Sequence, residues 1–326
     1  MTWLVWRLHR TQLYIAAALL AAFTVLMLVT GLQMASQYHS AVIACTASHS
    51  CANLGSTLFL GSHAVGFLVI MTLGVPALFG LFWGGPLVAA EFETGTGQFA
   101  WMQSITRKRW LAVTIGWTLL AAAAWGGAVS GLVTWWSGPD NALQLDRFKP
   151  GRFDIMGIVP VGYALFAVAL CVRAGALLRR TMPALAVTLG GFIVVRSVVA
   201  LWLRPHYMSA VTVTHTLLSG YTPTGSSWQL AQGILNPAGQ LLPNPNGAAI
   251  DGIPIGFLPS ACAATGNGAA GPTPACRQAL DAFHAFVTYQ PASRYWAFQG
   301  IETGIFVALA AALVAVTAVV VLRRDA

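Results

Sequence analysis

Apolar residues in this chain come in long unbroken runs rather than at the spacing of an amphipathic helix or strand. A window of about 20 residues at about 1.5 Å each crosses a hydrocarbon core of about 30 Å. Counting such windows predicts six spans, at 13–34, 64–83, 111–135, 155–172, 183–203 and 296–322. The chain then divides into residues 1–203, holding five spans and a polar loop at 84–110, a loop domain at 204–294, and a last span with its tail at 295–326. The class predicted is an all-α polytopic membrane protein.

The opening fourteen residues interleave Trp3, Trp6 and Tyr14 with Arg7, His9 and Arg10. Aromatic and basic side chains both favour the headgroup layer, so Trp3, Trp6, Arg7 and Arg10 are expected on a short interfacial helix before the first span. The uncharged run from Leu13 through Gln37 exceeds the ~7–15 apolar residues of a signal-peptide core, which predicts a retained anchor.

Composition agrees with the pattern. Hydrophobic residues make up 57% of the 326 and charged residues only 8%, with a mean hydropathy of +0.70, which excludes a water-soluble globule with a polar surface. The net charge of +8 does not point to nucleic acid, because the basic residues stand in ones, twos and threes at the ends of apolar runs, where membrane topology explains them. The expected surroundings are a lipid bilayer.

Six spans place both termini on one side. With the termini cytosolic, that side collects Arg7, Arg10, Arg107, Lys108, Arg109, Arg173, Arg179, Arg180, Arg323 and Arg324, ten basic residues against six outside. Arg147, Lys149 and Arg152, in a short outside loop, run against the trend. Cys45, Cys51, Cys262 and Cys276 all fall outside in this arrangement, so disulfides are expected, most simply Cys45 with Cys51 and Cys262 with Cys276, although four cysteines allow three connectivities. Cys171 lies within a span and is expected to be a packing residue.

The segment 204–294 holds ten of the sixteen prolines and is expected to be irregular. Its exception is 273–289, where Ala279, Leu280, Phe283, Phe286 and Val287 recur at helical spacing behind Thr-Pro, predicting one amphipathic helix stapled by Cys276.

The 84–110 loop concentrates polar chemistry. Glu91 and Glu93 are two apart, so on a helix they would not face each other and paired acid–base chemistry is not expected. Thr94, Gly95 and Thr96 predict a break between two short helices, the second capped by Thr96 with Phe99, Met102 and Ile105 near one face. Such a unit suits contact with another protein; a plain connector is the alternative.

Two ionisable residues lie inside spans, Arg196 and Glu302, at matching depths about 10 Å below the outer surface. An ion pair is expected, serving structure, gating or a substrate path. No G-x-x-x-x-G-K-[ST] loop, HExxH or G-x-S-x-G occurs, and the seven histidines show no metal-ligand spacing, so neither an enzyme nor a metal site is expected.

The run FGLFWGGPLVAAEFETGTGQFAWMQSITRKRWLAVT, followed by GALLRRTMPALAVTLGGFIVVR, resembles the membrane-spanning permease subunits of type-2 ABC exporters, particularly their actinobacterial branch. The resemblance implies a coupling helix between the second and third spans that docks on a separate ATPase subunit, with Glu91, Glu93, Thr94, Gly95, Thr96, Gln98, Gln103 and Arg107 in that contact and Arg179 and Arg180 in a second one. It also implies a homodimer or heterodimer of permeases in a bacterial plasma membrane. ATP and Mg would sit on the partner and no cofactor on this chain. Two other classes remain open, an ion-coupled secondary transporter and a membrane sensor or assembly protein with an extracytoplasmic binding domain.

Overall fold

The computed structural model describes residues 2–48, 74, 107–138, 147–223, 226–243, 249–250, 253–262 and 273–324. They form two compact units, one of Met1–Tyr207 with Trp296–Ala326 and one of Met208–Tyr295. The predicted span at 64–83 and the loop at 84–106 lie outside the described residues, Gly74 excepted.

The first unit is helical: α1 (Thr2–Ser48), α2 (Arg107–Trp136), α3 (Val159–Leu178), α4 (Thr181–Val198) and, after the second unit in sequence, α6 (Tyr295–Arg324). Among the described residues five stretches are long and apolar enough to cross a membrane, Ala17–Ala47, Ala112–Trp136, Val159–Leu178, Thr181–His206 and Ala292–Arg323. The chain is therefore a multi-pass membrane protein. One expectation needs correction. Trp3, Trp6, Arg7 and Arg10 lie on the first turns of α1, which runs without a break for 47 residues, about 70 Å at the α-helical rise, rather than on a separate short helix.

Helix α3 is the centre of this unit. Its buried residues face three ways, which is why its sequence is apolar all round. Ile115 and Ala122 of α2 pack on Val168, Val172 and Ala176, with Val321 of α6 in the same cluster. Gly126 of α2 permits close approach, since a Cβ there would lie 3.2 Å from the Ala164 Cβ. On the α4 side Phe166 stacks on Phe192, and on the α6 side a Cβ at Gly162 would lie 3.3 Å from the Thr303 backbone. Helix α1 packs on α2 through Met27, Met34 and Trp136, and the Trp136 indole donates to Thr30 Oγ1 at 2.9 Å.

The second unit corrects the expectation of an irregular loop domain in an otherwise all-α chain. Strands β1 (Val211–Thr216) and β2 (Trp228–Leu235) flank β5 (His284–Gln290) in an antiparallel sheet of order β1-β5-β2, and β3 (Ala249–Ile250) pairs with β4 (Ile253–Pro254). The helix expected over 273–289 is shorter: α5 covers Pro274–Leu280, with Thr273 capping the Cys276 N–H, and the chain turns at Asp281 into β5. Cys262 and Cys276 form a disulfide within a core of Leu242, Ile253, Leu280 and Phe283. Buried Gln290 donates to Met208 O at 2.7 Å and accepts from Arg294 at 2.8 Å, tying the end of β5 to the chain entering β1.

Candidate functional site: a buried charge cluster at one end of the helical unit

The helical unit gathers four charged side chains and two phenols. Helix α4 does not end at Val198; it continues as a π-helical turn over Val199–Leu203 and a 3-10 turn over Arg204–His206. In an uninterrupted α-helix, residues eight apart are rotated by about 80° from one another. The wider turn, closed by the Arg204 N–H on Val199 O, brings Arg204 back to the face of Arg196, and both guanidiniums reach Asp154.

Arg204 is the hub. Its Nε donates to Glu302 Oε2 at 2.8 Å, and its Nη2 to Glu302 Oε1 at 2.6 Å and to Asp154 Oδ1, a fork-shaped grip on the α6 carboxylate. Arg196 Nη2 donates to Asp154 Oδ2 at 2.9 Å. Tyr163 Oη donates to Glu302 Oε1 at 2.6 Å and lies 3.2 Å from Asp154 Oδ1, while Tyr207 Oη reaches Glu302 Oε2 at 3.4 Å. Phe153 covers the Arg204 guanidinium, 4.5 Å from its ring centre. Arg204 and Glu302 are 1% and 0% exposed and Asp154 8%, whereas Arg196 keeps 18%. Two cations meet two carboxylates, so the buried charge sums to zero.

Asp154 lies just before α3. Burial raises its carboxyl, but the Arg204 and Arg196 guanidiniums outweigh burial and hold it below its ordinary value. Burial, with the Glu302 charge nearby, pushes the Tyr207 phenol up. Beside the cluster, Gln299 of α6 accepts from the N–H groups of Ile158 and Val159 at 2.9 and 3.0 Å and donates to Phe153 O at 3.1 Å. It thus accepts from two backbone donors that have no partner within the first turn of α3.

This corrects the pairing expected from sequence. Arg196 and Glu302 belong to one cluster, but the carboxylate that Arg196 meets is Asp154, and the guanidinium that grips Glu302 is that of Arg204. Sequence analysis missed Asp154, Tyr163 and Arg204. A signal was present: Asp154 immediately precedes one apolar run and Arg204 immediately follows another, opposite charges brought to the same end of the bundle by antiparallel neighbours.

The other expected site residues stand apart from the cluster. Arg179 and Arg180 form the exposed two-residue turn between α3 and α4, with Arg179 in the left-handed region at φ 51° and its N–H on Gly175 O at 2.9 Å. Arg107 begins α2. Glu91, Glu93, Thr94, Gly95, Thr96, Gln98 and Gln103 lie outside the described residues. Cys45 is disulfide-bonded, and its expected partner Cys51 lies outside the described residues.

Spanning helices enclosing a neutralised ion cluster define a polytopic membrane protein whose helices are joined by charge as well as by packing. The sequence profile of the ABC-2 membrane transporter related family matches residues 17–204, more than half of the chain, and the chain belongs to that family. The match takes in Asp154, Tyr163, Arg196 and Arg204 and stops before Glu302. No curated protein and no solved structure matches the chain.

Proposed function

We propose that the chain is the permease subunit of an ATP-binding-cassette exporter in a bacterial plasma membrane, and that it forms the translocation path without hydrolysing ATP itself. The observation that carries this reading is the family match over residues 17–204, which spans the whole 84–110 loop. A separate ATPase subunit, holding ATP and Mg, docks on that loop through Glu91, Glu93, Thr94, Gly95, Thr96, Gln98, Gln103 and Arg107. The Arg179–Arg180 turn supplies a second contact on the same side, since α2 begins and α3 ends towards one end of the bundle. Two permeases, alike or different, stand side by side over the motor.

An ion-coupled transporter would need a carboxylate free to take up its ion. Asp154 and Glu302 are each held by guanidinium groups, which does not favour that alternative.

The orientation is tested with a cysteine at Thr94. In whole cells it should resist a membrane-impermeant maleimide, and ready labelling would overturn the reading. Gly95→Pro should leave membrane insertion intact while separating ATP hydrolysis from transport.

A further inference from the structure

The second unit holds a cavity of about 560 Å³ against its three-stranded sheet, and the register of the strands decides what lines it. His215 of β1 and Ile234 of β2 both pair with Ala285 of β5, and Gln232 pairs with Val287, two residues further on, so these five side chains share one face. Ala285 is the small residue in the middle of its row, and the floor dips there between His215 and Ile234.

Two walls rise from this floor. On the β1 side Gly220, at φ 54°, turns the chain after Leu217–Ser219, and Tyr221 comes back with its hydroxyl 2.9 Å from that of Tyr289 and its ring 5.8 Å from the His215 ring. On the β2 side the Leu242 N–H donates to Ile234 O at 2.8 Å, which holds Leu242 and Pro243 along the strand. Leu217, Ile234 and Leu242 are packed into the core that contains the Cys262–Cys276 disulfide, so floor and walls are anchored. The volume falls within the roughly 300–1,000 Å³ of small-molecule sites.

The lining sets the chemistry of an occupant. None of the described residues that line the cavity is Lys, Arg, Asp or Glu, so a charged ligand would give up water without meeting a counter-charge. Polar groups stand at the two sides. Thr216 O accepts from His215 Nδ1 at 2.9 Å, which places the proton there and makes Nε2 the acceptor of the neutral ring. Gln232 Oε1 accepts from Gln229 Nε2, and the amide nitrogen of Gln232 remains a donor. Because β1 and β2 flank β5, this acceptor and donor are separated by two strand spacings, about 10 Å.

We propose that this cavity binds an uncharged molecule of two aromatic rings with a hydrogen-bonding group at each end. Its rings lie over Ala285 and Val287 and against Tyr221, one end donates to His215 Nε2, and the other accepts from the Gln232 amide. The family match stops at residue 204, before this unit begins, and assigns nothing to it. Binding here needs neither the motor subunit nor the 84–110 loop, so it stands whether or not the permease reading does.

The test uses the full chain in nanodiscs and a photoreactive probe of this class, benzophenone-4,4′-dicarboxamide, with the matching dicarboxylate as the charged control. After irradiation the dicarboxamide should leave saturable adducts on peptides that hold 215–243 or 284–290, and the dicarboxylate should leave none. Gln232 is exposed, so Gln232→Leu leaves the packing in place and should raise the half-saturating concentration about 2- to 10-fold, the worth of one hydrogen bond. Ala285→Trp fills the floor and should abolish saturable labelling of these peptides; if that variant fails to fold, Gln232→Leu decides. Adducts that never saturate, adducts confined to the spanning helices, or equal labelling by the dicarboxylate overturn the site. So does full labelling of Ala285→Trp or an unchanged half-saturating concentration in Gln232→Leu.

Discussion

Arg204 and Glu302, 98 residues apart in sequence, are bound to each other through Nε and Oε2 at 2.8 Å in a place where neither side chain meets solvent. Such a pair gives its stability only when whole. Removing one partner leaves an uncompensated charge in the bundle, and the loss then exceeds the worth of the pair.

Glu302→Gln and Arg204→Leu should each destabilise the helical unit by roughly 3–5 kcal/mol, read as a lowered denaturation midpoint in detergent micelles. The double variant should lose clearly less than the sum, because the two substitutions remove opposite charges from one network. Additive losses would mean that the two residues act independently.

Charge reversal separates the observed pairing from the one expected from sequence. Arg196→Glu with Glu302→Arg should restore nothing, since each places its new charge beside the wrong neighbour. Arg196→Asp with Asp154→Arg should recover part of the stability lost by either single change, as measured by thermal unfolding. Recovery in the first double variant and not in the second would overturn the assignment.

Acid should weaken the cluster through Asp154. Its carboxyl is held below the ordinary value of 3.8, so its contribution is complete above that pH and is lost as pH falls through the lower value of the folded state. Stability measured from pH 5 downwards should decline more steeply in the wild type than in Asp154→Asn, which lacks this proton uptake. Identical slopes would remove Asp154 from the account.

Gly157 bonds Ser130 and Thr134 of α2 just before α3 begins. Its φ of +72° is one that side chains rarely adopt, and a Cβ there would stand 2.7 Å from Gln299 Oε1, which holds the start of α3. Gly157→Ala should cost about 1–3 kcal/mol of stability, and Gln299→Ala in the same chain should relieve only part of it because the backbone conformation stays unfavourable. Full relief would mean that the clash alone matters.

What could be read from the sequence follows from the range of each force. Apolar runs long enough to span are local signals, and the described spans largely coincide with the runs. Partners in the cluster are not local: Arg196 and Glu302 stood out as isolated charges inside runs, but Asp154 and Arg204 looked like ordinary flanking residues until the π turn drew Arg204 inward. In 273–289, Phe283 and Val287 fit a helical period and an alternating one alike; the β-branched and aromatic run Phe286, Val287, Thr288, Tyr289 decided for a strand once β1 and β2 were present to pair with it. The aromatic and basic start of α1 carries no breaking residue before Leu13, and the helix simply continues.

The central claim, a permease driven by a separate ATPase through the 84–110 loop, is tested most directly by affinity capture from native membranes. Tagged wild-type chain should bring down a nucleotide-binding subunit whose ATP hydrolysis is measurable in the eluate, and Glu91→Ala with Glu93→Ala should reduce its recovery while the permease remains in the membrane. Capture of the wild-type chain with no ATPase, or undiminished recovery with the loop substituted, would contradict the claim.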